Sequence, residues 1–390
     1  MQIPSHEQFQ HAMLPQTTSD EFSRQEFVKS FKLYLATKVS PKNKVAYEKN
    51  VKPAFQKEHG RSPEGRHEIR KAMTKNTHYK IWSSLLRTSQ ELMWKACQGP
   101  VERELDKLIK TASTENGGSS GTLTLDSNLA IPRYLSAVDI HCQPGNYYTE
   151  IRDQDVSAGA VYDSGVYLYA MGRLGPLNDD MGASQAEYIK QSFPQLKPKR
   201  ILDLGCAAGH STLPYKSVFP DAEVYAVDVA APMLRYAHSR ARSLGVPVHF
   251  SQQNAESLDF EDEFFDLVVS HILLHETSTT ALRNIMKECR RLLSPQGLVV
   301  HSETPPYKGM EDYDAFILDW DCYNNNEPFW SKSHEIDPVA VARDHGFNPE
   351  KTFETLIPSV FEEVQAKRTK LFQGGDFGGS GAWYVFGLGR

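Results

Sequence analysis

No run in this 390-residue chain is apolar for long enough to cross a bilayer as a helix. The N-terminal Met1-Gln2-Ile3-Pro4-Ser5-His6 lacks the basic-then-apolar order of a secretory signal, so none is expected. Cysteine is scarce. Cys97, Cys142, Cys206, Cys289 and Cys322 stand far apart and form no CxxC pair, which gives no zinc signature and suits a reducing, cytoplasmic setting. No long block of Lys and Arg occurs, and no RNA-binding aromatic motif accompanies the basic residues. Neither a membrane nor nucleic acid is therefore an expected partner. What is present is the composition of an ordinary globular protein, 24% charged and 40% hydrophobic, with length for two or three domains.

Charge is distributed unevenly. Residues 1–112 hold 20 Lys and Arg against 12 Asp and Glu, a net of +8, so the remainder carries −14 to reach the overall −6. Aromatic and aliphatic residues recur at roughly helical spacing through Phe22, Phe27 and Phe31, through Val45 to Phe55 with an interruption at Pro53, and through Ile81 to Trp94. A further helical pattern follows Gly99-Pro100. These patterns predict an all-helical N-terminal domain over residues 1–112. Its aromatics serve either as core or as a homodimer interface. A Gly/Ser-rich linker is expected at 113–121.

The chemistry concentrates in Arg200-Ile201-Leu202-Asp203-Leu204-Gly205-Cys206-Ala207-Ala208-Gly209-His210-Ser211. A short apolar run ends in an acid, a Gly-rich turn follows, and a helix starts. Such a junction offers backbone N–H groups to a polar ligand, and Gly205 and Gly209 let that ligand come close. About twenty residues later a second strand, ending at Asp228, places a carboxylate where it can accept from ribose hydroxyls. Strands and helices then alternate to the C-terminus, the pattern of a parallel α/β sheet.

This combination resembles the class I S-adenosylmethionine (SAM) dependent methyltransferases. Their acid-x-Gly-x-Gly-x-Gly loop is matched by Asp203, Gly205 and Gly209, with Ala207 in the middle position. The resemblance covers roughly the second half of the chain. It implies a Rossmann-like seven-stranded methyltransferase sheet, its last strand antiparallel, over 180–390, with an insertion at 304–335. It also implies SAM as cofactor. Gly205, Cys206 and Gly209 would lie against the methionine part, and Asp203 near the ammonium. Asp228 would take the ribose, with Val229 and Met233 beside the adenine. Asn254 stands where the family usually has an acid and, with Ala255, would face the adenine amino group. Ser270 and His271 would close the crevice.

The resemblance further implies that the acceptor is met by the stretch after the fourth strand and by segments folding over it. His275, with Glu276, is the expected base for a hydroxyl, an ammonium or an acidic carbon. His271 and His275 are four apart, but metal ligation by that pair would need a helical turn, and no metal is expected. Residues 122–179 are read as a lid. His141, Tyr147, Tyr162, Tyr167 and Tyr169 in it, with Glu303, Trp320, Tyr323 and Trp330 after the fifth strand, are the acceptor-pocket candidates; seam packing is the competing use for the tyrosines. Phe372–Gly381 reads as a Gly-rich flap.

These readings converge on methyl transfer to a small molecule, such as a secondary metabolite, by in-line displacement. Two rivals stand beside it. One is methylation of a protein or RNA docked by the basic helical region. It lacks the Asn/Asp-Pro-Pro-aromatic tetrapeptide of amino-methylating nucleic-acid enzymes, where Ser270-His271-Ile272-Leu273 stands instead. The other is a SAM-binding regulatory protein without turnover.

Overall fold

The computed structural model describes residues 7–114, 121–361 and 381–390. Its centre is a single sheet of eight strands: β1 (Gly121–Thr124), β2 (Arg200–Leu204), β3 (Glu223–Asp228), β4 (Val248–Gln252), β5 (Phe265–His271), β6 (Leu293–Glu303), β7 (Thr352–Pro358) and β8 (Ala382–Gly389). They lie in the order β1-β4-β3-β2-β5-β6-β8-β7. Neighbours from β1 to β6 pair in parallel, and β8 runs antiparallel to both β6 and β7. The inner strands are buried on both faces, which is why β2 and β5 read as nearly continuous apolar runs. The chain order reverses between β2 and β5, so the carboxyl ends of these strands open the crevice where ligands of such sheets bind.

The sheet has eight strands where seven were expected. The additional β1 comes from the segment read as linker and lid. Gly121 has φ 75°, and a Cβ there would meet the Val248 carbonyl oxygen at 1.9 Å, so only glycine lets the strand reach β4. Glu115–Ser120 of the expected linker and nearly all of the Gly-rich segment at 372–381 lie outside the described residues.

Helices cover residues 19–113 as expected, though their breaks differ. Ser19–Tyr34 begins with a capping box between Thr18 and Glu21. The path stays helical to His59 because two wider turns, Leu35–Val39 and Tyr47–Val51, precede Pro41 and Pro53. Each proline then sits in the first turn of the next helical piece, where its missing N–H is harmless. Pro53 thus does not interrupt the helix. Pro100 does not end one either. Thr77–Ser113 is one helix of 37 residues, with Met93, Trp94, Cys97, Val101, Leu105 and Leu108 buried along it. Burying that continuous face offsets the roughly 3 kcal/mol that an interior proline costs. Trp82 and Trp94 are buried within the chain, so both serve as core.

The 122–179 segment contains a helix, Ser157–Tyr169, hidden from sequence reading by its small residues. A Cβ on Gly159 would meet Tyr236 at 2.3 Å, and one on Gly165 would meet Trp94 at 2.3 Å. These glycines let the helix press between the N-terminal helices and the sheet domain. Asp163, 1% exposed, ties the three regions together. Its carboxylate lies 3.1 Å from His11 Nε2, 3.0 Å from His210 Nε2 and 3.3 Å from Arg240 Nε, and it accepts from Tyr236 at 2.8 Å. Burial alone would raise its pKa, yet His210, His11 and Arg240 hold it well below the ordinary carboxylate range.

Replacing Asp163 with Ala leaves Arg240 buried without its counter-charge, and a loss of about 3–5 kcal/mol is expected in urea unfolding. A depressed carboxylate binds its proton more readily in the unfolded chain. Its stabilisation is therefore complete above the unfolded pKa near 4 and is lost as pH falls below it. The acid limb of the wild-type stability curve is expected to flatten in the variant; an unchanged limb assigns acid sensitivity elsewhere.

Candidate active site

The loop after β2 is fixed by backbone bonds. Gly205 N and Cys206 N donate to the Val227 carbonyl at 2.8 and 3.0 Å. Gly205 and Gly209 have φ of 66° and 75°, and a Cβ on Gly205 would meet Leu273 Cδ1 at 2.6 Å. Ala207 also has a positive φ, 45°, in the position where the family carries glycine. An L-residue there costs roughly 1–2 kcal/mol, while glycine costs somewhat less through its greater freedom when unfolded. Ala207→Gly is expected to raise unfolding stability by about 0.5–1 kcal/mol. A melting temperature that falls would show that the Ala207 methyl packs more than it strains.

Asp228 ends β3 and braces this loop. Its Oδ2 accepts from Ala207 N at 3.0 Å and its Oδ1 from Ala230 N at 2.9 Å. Each oxygen keeps a second lone pair for a hydroxyl. Burial pushes the carboxyl up to about 6 despite those N–H groups. Gly205, Ala207, Asp228, Val229, Met233, Asn254, Ala255, Leu273 and Glu276 surround one cavity with Tyr134, Tyr147 and Tyr162. Asn254 Oδ1 accepts from Glu256 N at 3.0 Å in a local turn, so its oxygen is oriented before any ligand arrives.

A second cavity adjoins the first. Tyr162, Gly205, Ala207, His271 and Ile272 border both. The second is lined by Asp203 and Cys206 from the loop, by Trp94 of the long helix, and by His141, Tyr169, His210 and His275. Asp203 accepts from the Thr212 hydroxyl at 2.5 Å and lies 3.3 Å from His271 Nδ1, whose other ring nitrogen meets Tyr215 at 3.0 Å. A far larger groove, about 1000 Å³, lies between Pro41 and the 305–317 segment. None of the Gly-rich loop lines it.

Between His141 and His275 of the second cavity and Tyr147 and Glu276 of the first, charged groups collect. His275, 1% exposed, has Nδ1 3.0 Å from Glu303 and Nε2 3.7 Å from Glu327. His141 has Nδ1 2.5 Å from Glu327 and Nε2 3.3 Å from Glu276. Tyr147 donates to Glu276 at 3.0 Å. Burial would lower both imidazoles, but the carboxylates prevail: Glu303 and Glu327 raise His275, and Glu327 and Glu276 raise His141 well above its ordinary value. Burial and Glu327 push Asp321 up to about 7.

The structure thus brings together Asp203, Gly205, Cys206, Asp228, Val229, Met233, Asn254, Ala255 and His271 around the paired cavities, and His141, Tyr147, Tyr162, Tyr169, His275, Glu276 and Glu303 around the charged end. Trp330 packs edge-on against His275 with ring centres 5.0 Å apart. Other expected residues lie elsewhere. Ser270 is fully buried and bonds His301 at 2.7 Å. Gly209 shapes the turn but borders neither cavity. Tyr167 packs under Lys29. Trp320 joins Trp82 in a separate core, and Tyr323 is about half exposed with Arg70 over its ring. Of the two tryptophans expected from the 304–335 insertion, Trp330 packs on His275 while Trp320 belongs to the core around Trp82. Trp94, His210 and Glu327 were not among the expected site residues, although Glu327 falls within the 304–335 insertion.

Residues 201–297 match a family profile described as "Methyltransferase domain". A demethylmenaquinone methyltransferase of Thermus thermophilus is 38% identical over 28% of this chain and 49% of its own length. A malonyl-[acyl-carrier protein] O-methyltransferase of Halorhodospira halophila is 32% identical over 33% of this chain and 44% of its own. The chain thus spans at most about half the length of these curated relatives. A solved structure of Haemonchus contortus phosphoethanolamine N-methyltransferase 2, in complex with phosphomonomethylethanolamine and S-adenosylhomocysteine, is 20% identical with a TM-score of 0.41. That match covers 59% of this chain and 58% of the other. No helix among the described residues is long and apolar enough to cross a membrane.

Proposed function

We propose that residues 201–297, which match a profile described as a methyltransferase domain, form a class I S-adenosylmethionine-dependent methyltransferase domain, and that the protein methylates a small-molecule acceptor. The residues suit the cofactor. Asp228 would hold the ribose hydroxyls, Asn254 and Ala255 with Val229 and Met233 the adenine, and the loop at Gly205 and Cys206 the methionine part. The cofactor's sulfonium supplies an already activated methyl group, so the protein's task is alignment and, where the acceptor carries a proton, its removal.

The observation that carries the reading is the second cavity. It opens from the loop end of the first, has a volume of about 120 Å³, and is closed by Trp94 of the N-terminal helices and Tyr169 of the Ser157–Tyr169 helix. The helical region thus builds a wall of the site. His275 and Glu276 are the groups placed to manage the acceptor's proton. Of the named relatives, the demethylmenaquinone methyltransferase supports a small-molecule acceptor, while the malonyl-[acyl-carrier protein] O-methyltransferase takes an acyl group carried on a protein.

The test uses SAM with a labelled methyl group, the purified protein and a cell extract. Label is expected in one small molecule, whose mass identifies the acceptor. Label in protein or RNA would overturn the small-molecule reading. SAM binding without label in any fraction would point to a protein that binds the cofactor without turnover.

A further inference from the structure

His141 and His275 come from segments 134 positions apart in sequence, yet their rings lie 6.3 Å apart, nearly perpendicular. One ligand atom from each, together with one carboxylate oxygen of Glu276, lie within 4.8 Å of one another. We propose that His141, His275 and Glu276, joined by Glu327, bind one divalent transition-metal ion of the Mn2+ or Zn2+ class. The purpose of the ion rests on the methyl-transfer reading above; its binding does not.

The surroundings of the two rings carry the argument. Each imidazole sets its Nδ1 against a buried carboxylate, Glu327 for His141 at 2.5 Å and Glu303 for His275 at 3.0 Å. A ring that donates one N–H to a carboxylate is fixed in orientation and is made more basic at the opposite nitrogen, as metal-ligating histidines are. The opposite nitrogens here face acids: His141 Nε2 is 3.3 Å from Glu276, and His275 Nε2 is 3.7 Å from Glu327. The supporting carboxylates are themselves held. Glu303 accepts from Leu274 N at 2.5 Å, and Glu327 Oε1 accepts from Asn325 at 3.3 Å.

Glu327 Oε2 provides the independent sign. It is buried and makes no hydrogen bond among the described residues; His275 Nε2 stands 3.7 Å away, a gap that a bound cation would bridge. Two imidazoles with carboxylates favour Mn2+, Fe2+ or Zn2+ over Ca2+ or Mg2+, which prefer all-oxygen shells.

The sequence spacing of His271 and His275 would suit a metal only on a helical turn, and no metal was expected there. The structure separates them, because residues 274–276 form a tight 3-10 turn and His271 is engaged by Asp203 and Tyr215. The acceptor class implied is one with an ionisable hydroxyl. Bound through its oxygen, it would release that proton to solvent near neutral pH. The oxygen keeps the electron pair that forms the new C–O bond, and the pair of the broken C–S bond goes to sulfur.

Full-length protein, stripped with EDTA and desalted, is titrated with MnCl2 while the free-ion EPR signal is followed. One ion per chain is expected to bind. Glu327→Gln and His141→Gln are each expected to weaken it by about tenfold or more. SAM affinity and the thermal melt, both close to wild type, show that the variants are folded. Failure of folded, SAM-binding wild type to hold stoichiometric Mn2+ or Zn2+ overturns the site, as does unchanged affinity in both variants. Methyl transfer that persists in metal-free protein ends the role given to the ion and leaves the methyltransferase reading standing. Stoichiometric metal with no methyl transfer to any acceptor does the reverse.

Discussion

Asp228→Ala is expected to weaken S-adenosylmethionine binding by about 100-fold and to leave the chain folded. The carboxylate sits at the end of β3, where the sheet order brings strand ends together around the cofactor crevice. Its two oxygens already accept one backbone N–H each and retain lone pairs directed at the cavity. Two ribose hydroxyls donating to it form charge-assisted bonds of roughly 1.5–3 kcal/mol each. Water entering the Ala variant recovers part of this, so about 3 kcal/mol is lost, which is the hundredfold. Calorimetric titration with SAM reads it directly. Affinity within threefold of wild type would remove Asp228 from the cofactor site.

A pH dependence follows from the same side chain. Burial lifts the carboxyl to about 6, and only the ionised form accepts from both hydroxyls. Wild-type affinity is therefore expected to hold above about pH 7 and to fall by up to tenfold per unit below about pH 6. Asp228→Asn, which cannot ionise, should flatten that fall. A profile that keeps its shape in the Asn variant would assign the titration to another group.

Much of the donor half was legible because its signals are local. An apolar run, an acid, a glycine at φ 66° and an acid one strand later occupy fewer than thirty residues, and each is read from its own neighbourhood. The eighth strand was not legible. Gly121 matters only because Val248 approaches it, and that approach belongs to the folded sheet. Pro53 and Pro100 misled for different reasons: a wider turn places Pro53 in the first turn of the next helical piece, while burial of one long face carries the helix through Pro100. The acceptor half is the extreme case. His141, with φ 51°, and Glu327 lie 186 positions apart and meet at 2.5 Å. No periodicity links them. The Ser157–Tyr169 helix was hidden by Gly159 and Gly165, whose use is to admit Tyr236 and Trp94 rather than to pack themselves.

The acceptor half is therefore where a mutation separates binding from chemistry most sharply. His275→Ala is expected to lower turnover by about 10²–10⁴-fold and to change SAM affinity by no more than about twofold. The first cavity, where the cofactor's adenosine would lie, is not bordered by His275, whereas the second one is. Removing the imidazole would thus leave the proposed ribose and adenine contacts in place while taking away the group proposed to face the acceptor. The truncation also opens a void beside Trp330 and strands Glu303, so some stability is lost as well. His275→Gln controls for this, since it fills the space and can still hydrogen-bond Glu303. If His275 only supports the fold, Gln restores both the melt and turnover. If it takes the acceptor's proton or ligates an ion, Gln restores the melt and leaves turnover low. Turnover near wild type in both variants would remove His275 from the reaction and leave Glu276 as the residue to test next.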